Sequence, residues 1–341
     1  MPIRSVQNIP LSSLSTFRMG GIAKRVLYIE SEEDLNLYFN EKPENEKWFL
    51  LGGGSNVVFP DGDCDTTILK LHFGKVEIDQ RGDKVFLIAD GGANWDEVVS
   101  IAVSQGLSGI EALSAIPGTV GATPVQNVGA YGTETMDVLE SLRAYDVIEK
   151  KFVTFSNQEC EFTYRDSIFK RGGKGRYIIT QVTYLLSADE PDVPQYPGVA
   201  EYFVSKNIVR PTLQEIRDAI ISIRAKKLPD PKEIASVGSF FKNSIVSKEV
   251  AGKLLEKFPT MKIFPAENDT MKVPSGWIIE QAGFKGKCFG NLSVYSGNAL
   301  VIVNEGGATR RELQELIEKI QGEVEEKFGI KIEPEPELLS F

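Results

Sequence analysis

SAIPGTVGATPVQNVGAYG, residues 114–132, decides how this chain is read. It holds four glycines, two prolines, two threonines, a glutamine and an asparagine, and no charged residue. Glycine lets the main chain approach a ligand closely, while Pro117 and Pro124 fix φ and remove N–H groups. Such a loop offers amides and hydroxyls rather than charge, which suits a large, partly apolar, partly anionic cofactor better than a bare metal ion. The alternative is a series of tight structural turns in a β-rich domain. Taken alone, a glycine cluster favours the turns; the rest of the chain has to decide.

At 341 residues the chain exceeds one ordinary core, so two or three domains are expected. Its 42% hydrophobic and 25% charged residues are those of a soluble globular protein. No apolar run approaches the roughly 18 residues of a membrane span, and MPIRSVQNIP has no signal-peptide core, so a cytoplasmic protein without membrane contact is expected. Cys64, Cys160 and Cys288 are odd in number and far apart, pointing to reduced, packed thiols rather than disulfides or a metal site. A net charge of −10 argues against nucleic acid. The single histidine, His72, lies in the alternating stretch TTILKLHFGKVEI and reads as structural, so acid and base work must fall to other residues.

Local signals order the chain. Ser31 before Glu32, Glu33 and Asp34 opens a helix after the strand KRVLYIE, and WFLLGGGSNVVF reads as strand, turn, strand. KVFLIADGGANWDEVVSIAVSQGLSG gives a strand, a glycine turn and a helix capped by Asn94, with Gly106 past its end. Strands SLRAYDVI and YIITQVTYLL follow. The proline-rich ADEPDVPQYPGVAEYF reads as a surface loop or lid, and Thr212 with Glu215 makes a capping box for LQEIRDAIISIRAKK. Further on come a helix around SKEVAGKLLEKF, a turn region MKVPSGWIIEQ, a strand NALVIVN, and a long helix from Thr309 to Gly329.

The glycine loop is one of a spaced series with TFRMGG (16–21), LGGGSN (51–56) and GGANW (91–95). LGGGSN could form an anion nest, though it is neither a Rossmann nor a Walker pattern. With YRDSIFK (164–170), KLPDP (227–231), GSFFKN (238–243) and GWIIEQAGFKG (276–286), the chain resembles the UDP-N-acetylenolpyruvoylglucosamine reductases, in particular their longer, type I branch. That resemblance implies an α+β fold: an FAD-binding fold of the vanillyl-alcohol-oxidase (PCMH) kind in two domains, plus an α+β substrate-binding domain. The expected division is 1–71 and 72–222 for the two FAD-binding subdomains, the second with a lid-like loop near 187–204. Residues 223–334 would bind substrate, and 335–341 would form a tail carrying a catalytic glutamate. It also implies noncovalent FAD, NADPH as electron donor, a small nucleotide-sugar substrate and a monomer.

Residue by residue, the resemblance assigns the flavin to Gly52, Gly53, Gly54, Ser55 and Asn56, to Ile116, Pro117, Gly118, Thr119, Gly121 and Ala122, and to Gln126, Asn127, Gly129, Ala130, Tyr131 and Arg224. Arg165 matches the arginine at the reacting carboxylate, Ser239 the proton donor to the enolate, and Glu335, in IEPEP, the glutamate near the C-terminus. If GSFFKN is extended, Ser239, Phe241 and Asn243 share one face. Tyr164, Lys227, Asn243, Phe264 and Asn298 are the expected substrate contacts; Tyr202, with Tyr196 as second candidate, would close over substrate. No residue is expected to hold a metal. Phe264 replaces a common tyrosine, Asn298 a common glutamine, Pro336 a branched apolar residue and Glu337 an arginine. A related FAD oxidoreductase with another substrate, or an inactive flavin-binding protein, are the competing readings.

Overall fold

The computed structural model describes residues 2–191 and 194–340. Helices and strands are mixed throughout, as the expected α+β class requires. The chain divides into two compact units whose segments interleave. The first comprises Met1–Ile9, Ala23–Gly53 and Cys64–Ala225; the second comprises Pro10–Ile22, Gly54–Asp63 and Lys226–Phe341.

Two larger sheets build the first unit. In one, Ile22–Ile29 and Trp48–Leu50 pair in parallel with Thr67–Leu71. Parallel pairing needs a crossover, which helix Glu32–Glu41 supplies; the Ser31 side chain accepts from the Asp34 N–H at its start, as read from the sequence. Another is a five-stranded antiparallel sheet in the order Lys151–Ser156, Leu139–Asp146, Tyr177–Leu186, Lys84–Asp90, Val76–Arg81. Helix Trp95–Ser104, capped by Asn94 as expected, contributes Trp95, Val98, Val99 and Ala102 to the core on this sheet.

Two sequence expectations need correction. Of the proline-rich stretch, residues 192 and 193 lie outside the described residues, but its end is a helix from Pro197 to Lys206, because a proline in the first turn costs no hydrogen bond there. It packs with helix Leu213–Lys227 around Val199, Phe203, Ile216 and Ile220. In the second unit, MKVPSGWIIEQ is a strand, Thr270–Val273, followed by a helix, Ser275–Gln281, with Pro274 between them.

The second unit has a four-stranded sheet, ordered Ser236–Ser239, Val301–Asn304, Leu292–Val294, Cys288–Phe289, and a three-stranded one built on Ser244–Ser247, Thr270–Val273 and Phe264–Pro265. Helix Arg310–Phe328, with its capping box at Thr309 and left-handed Gly329, buries Leu313, Leu316, Ile317, Ile320, Val324 and Phe328. These join Phe240, Phe241, Ile278 and Ile279 in one core. Cys64 and Cys160 are buried, but Cys288 is exposed, contrary to the expectation that all three pack. His72 lies just past the end of its strand, half exposed, 3.9 Å from Glu30.

Candidate functional site

In the first unit the glycine turns form one cradle. The Trp95 N–H donates to the Gly118 carbonyl (3.1 Å), and the indole N–H donates to the Leu113 carbonyl (3.1 Å), so one buried tryptophan holds the loop at two points. The Val120 N–H donates to Ala93 and the Gly121 N–H to Gly91, both 2.9 Å. The loop is thus fastened to GGANW through Gly118, Thr119, Val120 and Gly121. Gly53 lies against the same loop: a Cβ there would come within 2.8 Å of the Gly118 Cα. Backbone atoms cannot step aside as a side chain could, so Gly53→Ala should displace the loop. The expected outcome is protein with a substoichiometric flavin absorbance; a normal flavin content would contradict it.

The second half of the loop is held by side chains. Asn127 is fully buried; its Nδ2 donates to the Glu134 carboxylate (2.7 Å) and its Oδ1 accepts from the Met136 N–H (3.0 Å). Its side chain therefore shapes the loop. Ser167 donates to the Val125 carbonyl (2.7 Å), and the Thr123 hydroxyl lies 2.8 Å from that of Tyr184.

Arg165 stands in a tight turn closed by reciprocal Thr163–Asp166 backbone bonds of 3.1 Å. Its φ is +56°, a left-handed conformation unusual for a long side chain and typical of residues held for a purpose. The guanidinium donates to the Gly129 carbonyl (2.6 Å), lies 3.8 Å from Glu134, and sits over the Tyr164 ring at 5.2 Å. The structure therefore joins Arg165, Tyr164 and the glycine loop. It also joins Tyr131 with Arg224: burial raises the Tyr131 pKa and lowers that of Arg224, and the two side chains are hydrogen-bonded. The Tyr196 ring meets Tyr131 edge-on at 5.3 Å, whereas Tyr202, half-buried, packs against the core of the two helices.

Sequence reasoning missed Asp96. Its carboxylate takes both arms of Arg217 (2.7 and 2.9 Å) and the Ala115 N–H (2.6 Å), at the start of the loop. Burial pushes its pKa up, but the Arg217 hydrogen bond, the Ala115 N–H and the charges of Arg217 and Arg224 outweigh that, and the carboxyl stays below its usual range. Nothing in GGANWDE marks it, because its partner is 121 residues away. A depressed carboxylate adds stability that is complete above its unfolded pKa, about 4, and is lost as pH falls through the lower folded value. Asp96→Asn should cost about 1–3 kcal/mol in urea unfolding at neutral pH and flatten the acid limb of the stability curve. Equal losses at neutral pH and in acid would refute the charge-based account.

In the second unit GSFFKN is not a uniform strand. Gly238, at φ +70°, puts a bulge between Ser236 and Ser239, and Phe240 and Phe241 are both buried, so the expected alternation of faces is broken. Ser239, half-buried, ends the strand opposite Val301. The C-terminal segment is no frayed tail: the Glu335 N–H donates to the Phe240 carbonyl (2.8 Å), the Lys242 N–H to Glu333 (3.0 Å), and Glu337–Leu338 pairs with Val57–Val58. Glu335 is thereby held against the residue that follows Ser239. Asn243 accepts from the Ser275 N–H (3.1 Å) at the head of helix Ser275–Gln281. Asn298 accepts from the Leu300 N–H (3.0 Å), Phe264 is 39% exposed on a sheet edge, and Lys227 is exposed at a helix end.

Of the LGGGSN motif, Gly54, Ser55 and Asn56 belong to this second unit; the Gly54 carbonyl accepts from the Thr16 N–H (3.0 Å) and the Asn56 carbonyl from the Glu337 N–H (2.9 Å). The buried hydroxyls of Ser15 and Thr16 make no hydrogen bond among the described residues. Within the first unit, glycines that leave no room for a Cβ and cations at Lys70 and Arg224 are a donor set suited to a dinucleotide. Among the described residues no cluster of His, Cys, Asp and Glu could hold a metal ion.

Comparison with known proteins fits that donor set. Residues 23–150 match a family model described as an FAD binding domain, and residues 230–339 match one described as the UDP-N-acetylenolpyruvoylglucosamine reductase C-terminal domain. The UDP-N-acetylenolpyruvoylglucosamine reductase of Flavobacterium johnsoniae is 41% identical over 334 residues, covering 97% of this chain and 98% of that protein. That of Ralstonia nicotianae is 40% identical, with the same coverage. The fold is also that of the crystallised UDP-N-acetylenolpyruvylglucosamine reductase of Thermus caldophilus, with a TM-score of 0.67 and 22% identity over the whole of both chains.

Proposed function

The chain belongs to the UDP-N-acetylenolpyruvoylglucosamine reductase family, and from that premise we propose how its residues divide the work. It is an FAD-dependent oxidoreductase that reduces UDP-N-acetylglucosamine enolpyruvate to UDP-N-acetylmuramate in peptidoglycan precursor synthesis. When bound, FAD takes electrons from the donor, which we assign as NADPH, and supplies hydride to the alkene.

Saturating an enol ether beside a carboxylate leaves the protein two tasks. Charge developing on the carboxylate must be stabilised, and a proton must reach the second alkene carbon. Arg165 does the first: its fixed charge and two-pronged donor match an enolate-like oxygen pair. Ser239 does the second. A serine hydroxyl gives up its proton reluctantly, so it needs a neighbour that stabilises or replenishes it, and Glu335 is the group we assign. The observation that carries this assignment is the Glu335 N–H bond to the Phe240 carbonyl, which fixes the carboxylate-bearing segment beside the serine strand.

Lys227, Asn243, Phe264, Asn298 and Tyr164 are assigned to the nucleotide sugar. Between the two lid candidates we favour Tyr196, because its ring already meets Tyr131 of the glycine loop while Tyr202 packs against the two-helix core. Among the described residues no helix is long and apolar enough to cross a membrane; we take the protein to be a monomer of the cytoplasm. The spent donor leaves as NADP+ before the nucleotide is reduced, so initial rates should follow a ping-pong pattern with inhibition at high nucleotide concentration. Intersecting double-reciprocal lines would contradict that order.

A further inference from the structure

Lys70 is a cation held where the glycine turn meets the flavin loop. It lies in strand Thr67–Leu71, whose Leu69 and Leu71 pack into the cluster beneath helix Glu32–Glu41. Alternation along the strand therefore sends Lys70 to the opposite face. Its Nζ donates to the Gly52 carbonyl at 3.0 Å, and no carboxylate pairs with it among the described residues. Gly52 in turn abuts the loop, since a Cβ there would come within 2.9 Å of Thr119 Oγ1. Burial holds the lysine below its usual pKa, with no countercharge to restore it. An ammonium kept partly dehydrated on one neutral acceptor is costly unless an anion joins it.

We propose that Lys70 binds a diphosphate, and that the diphosphate is that of FAD. The claim rests on the flavin reading of the cradle. In oxidised FAD the ionised groups are the two phosphates, and the turn and loop around Lys70 otherwise present only neutral groups: Gly52, Gly53, Gly118 and Thr119. Neutral backbone donors orient a diphosphate, and one half-buried lysine supplies charge that they lack.

The test follows FAD release from the purified holoenzyme on dilution, by the rise of flavin fluorescence, with no nucleotide sugar present. Lys70→Gln keeps an N–H for the Gly52 carbonyl but removes the charge; Lys70→Arg keeps the charge. The glutamine variant should hold FAD about ten- to a hundredfold more weakly, the worth of a hydrogen bond to a charged group, while the arginine variant stays near wild type. The proposal is overturned if Lys70→Gln retains FAD as wild type does, if both variants lose it equally, or if Lys70→Gln fails to fold. It is also overturned if only the KM for the nucleotide sugar changes, which would give the lysine to the other diphosphate. Wild-type protein without flavin would instead overturn the FAD reading itself.

Discussion

Replacing Ser239 with alanine should leave reduction of the bound flavin by NADPH near its wild-type rate, while reduction of the enolpyruvyl nucleotide falls by about 10²–10⁴-fold, the usual worth of a positioned acid. The two half-reactions separate because a proton is delivered only in the second. Ser239 is half-buried at a strand end, with the bulge at Gly238 on one side and the buried Phe240 on the other, so removing its Oγ should leave the packing intact. Single-turnover kinetics under anaerobic conditions measure the two steps apart. Equal losses in both would remove the serine from the role given to it here.

Arg165→Lys should have the next largest effect. A lysine keeps the charge but loses the planar fork, and a removed transition-state donor costs about 10²–10³-fold in kcat. The substitution also gives up the bond to the Gly129 carbonyl, so flavin content must be measured alongside the rate. We expect flavin to be retained, because Asn127, Ser167 and Trp95 still hold the loop, and the loss to appear in reduction of the nucleotide. A lysine variant with wild-type kcat would show that charge alone suffices.

What could be read from the sequence was local. Ser31, Asn94 and Thr309 each cap the helix expected of them, because a cap depends on residues three positions apart. The glycine loop was legible only as a series of turns on its own composition; its place beside GGANW came from the fold. Long-range features were not. That Pro10–Ile22 and Gly54–Asp63 belong with residues 226–341 leaves no trace in either segment's composition. The Asp96–Arg217 pair and the Lys70 contact with Gly52 likewise depend on partners brought together by the sheets. The bulge at Gly238 turned an expected alternation into two adjacent buried phenylalanines, and a proline compatible with a first helical turn was read as a loop signal.

The central claim is that this chain passes electrons from NADPH through bound FAD to an enolpyruvyl nucleotide sugar. It is tested most directly by reducing the purified protein with one equivalent of NADPH in the absence of oxygen, then adding UDP-N-acetylglucosamine enolpyruvate. The account predicts loss of the yellow flavin absorbance on the first addition, and its full return on the second with formation of UDP-N-acetylmuramate. A reduced flavin that stays reduced in the presence of the nucleotide would contradict it.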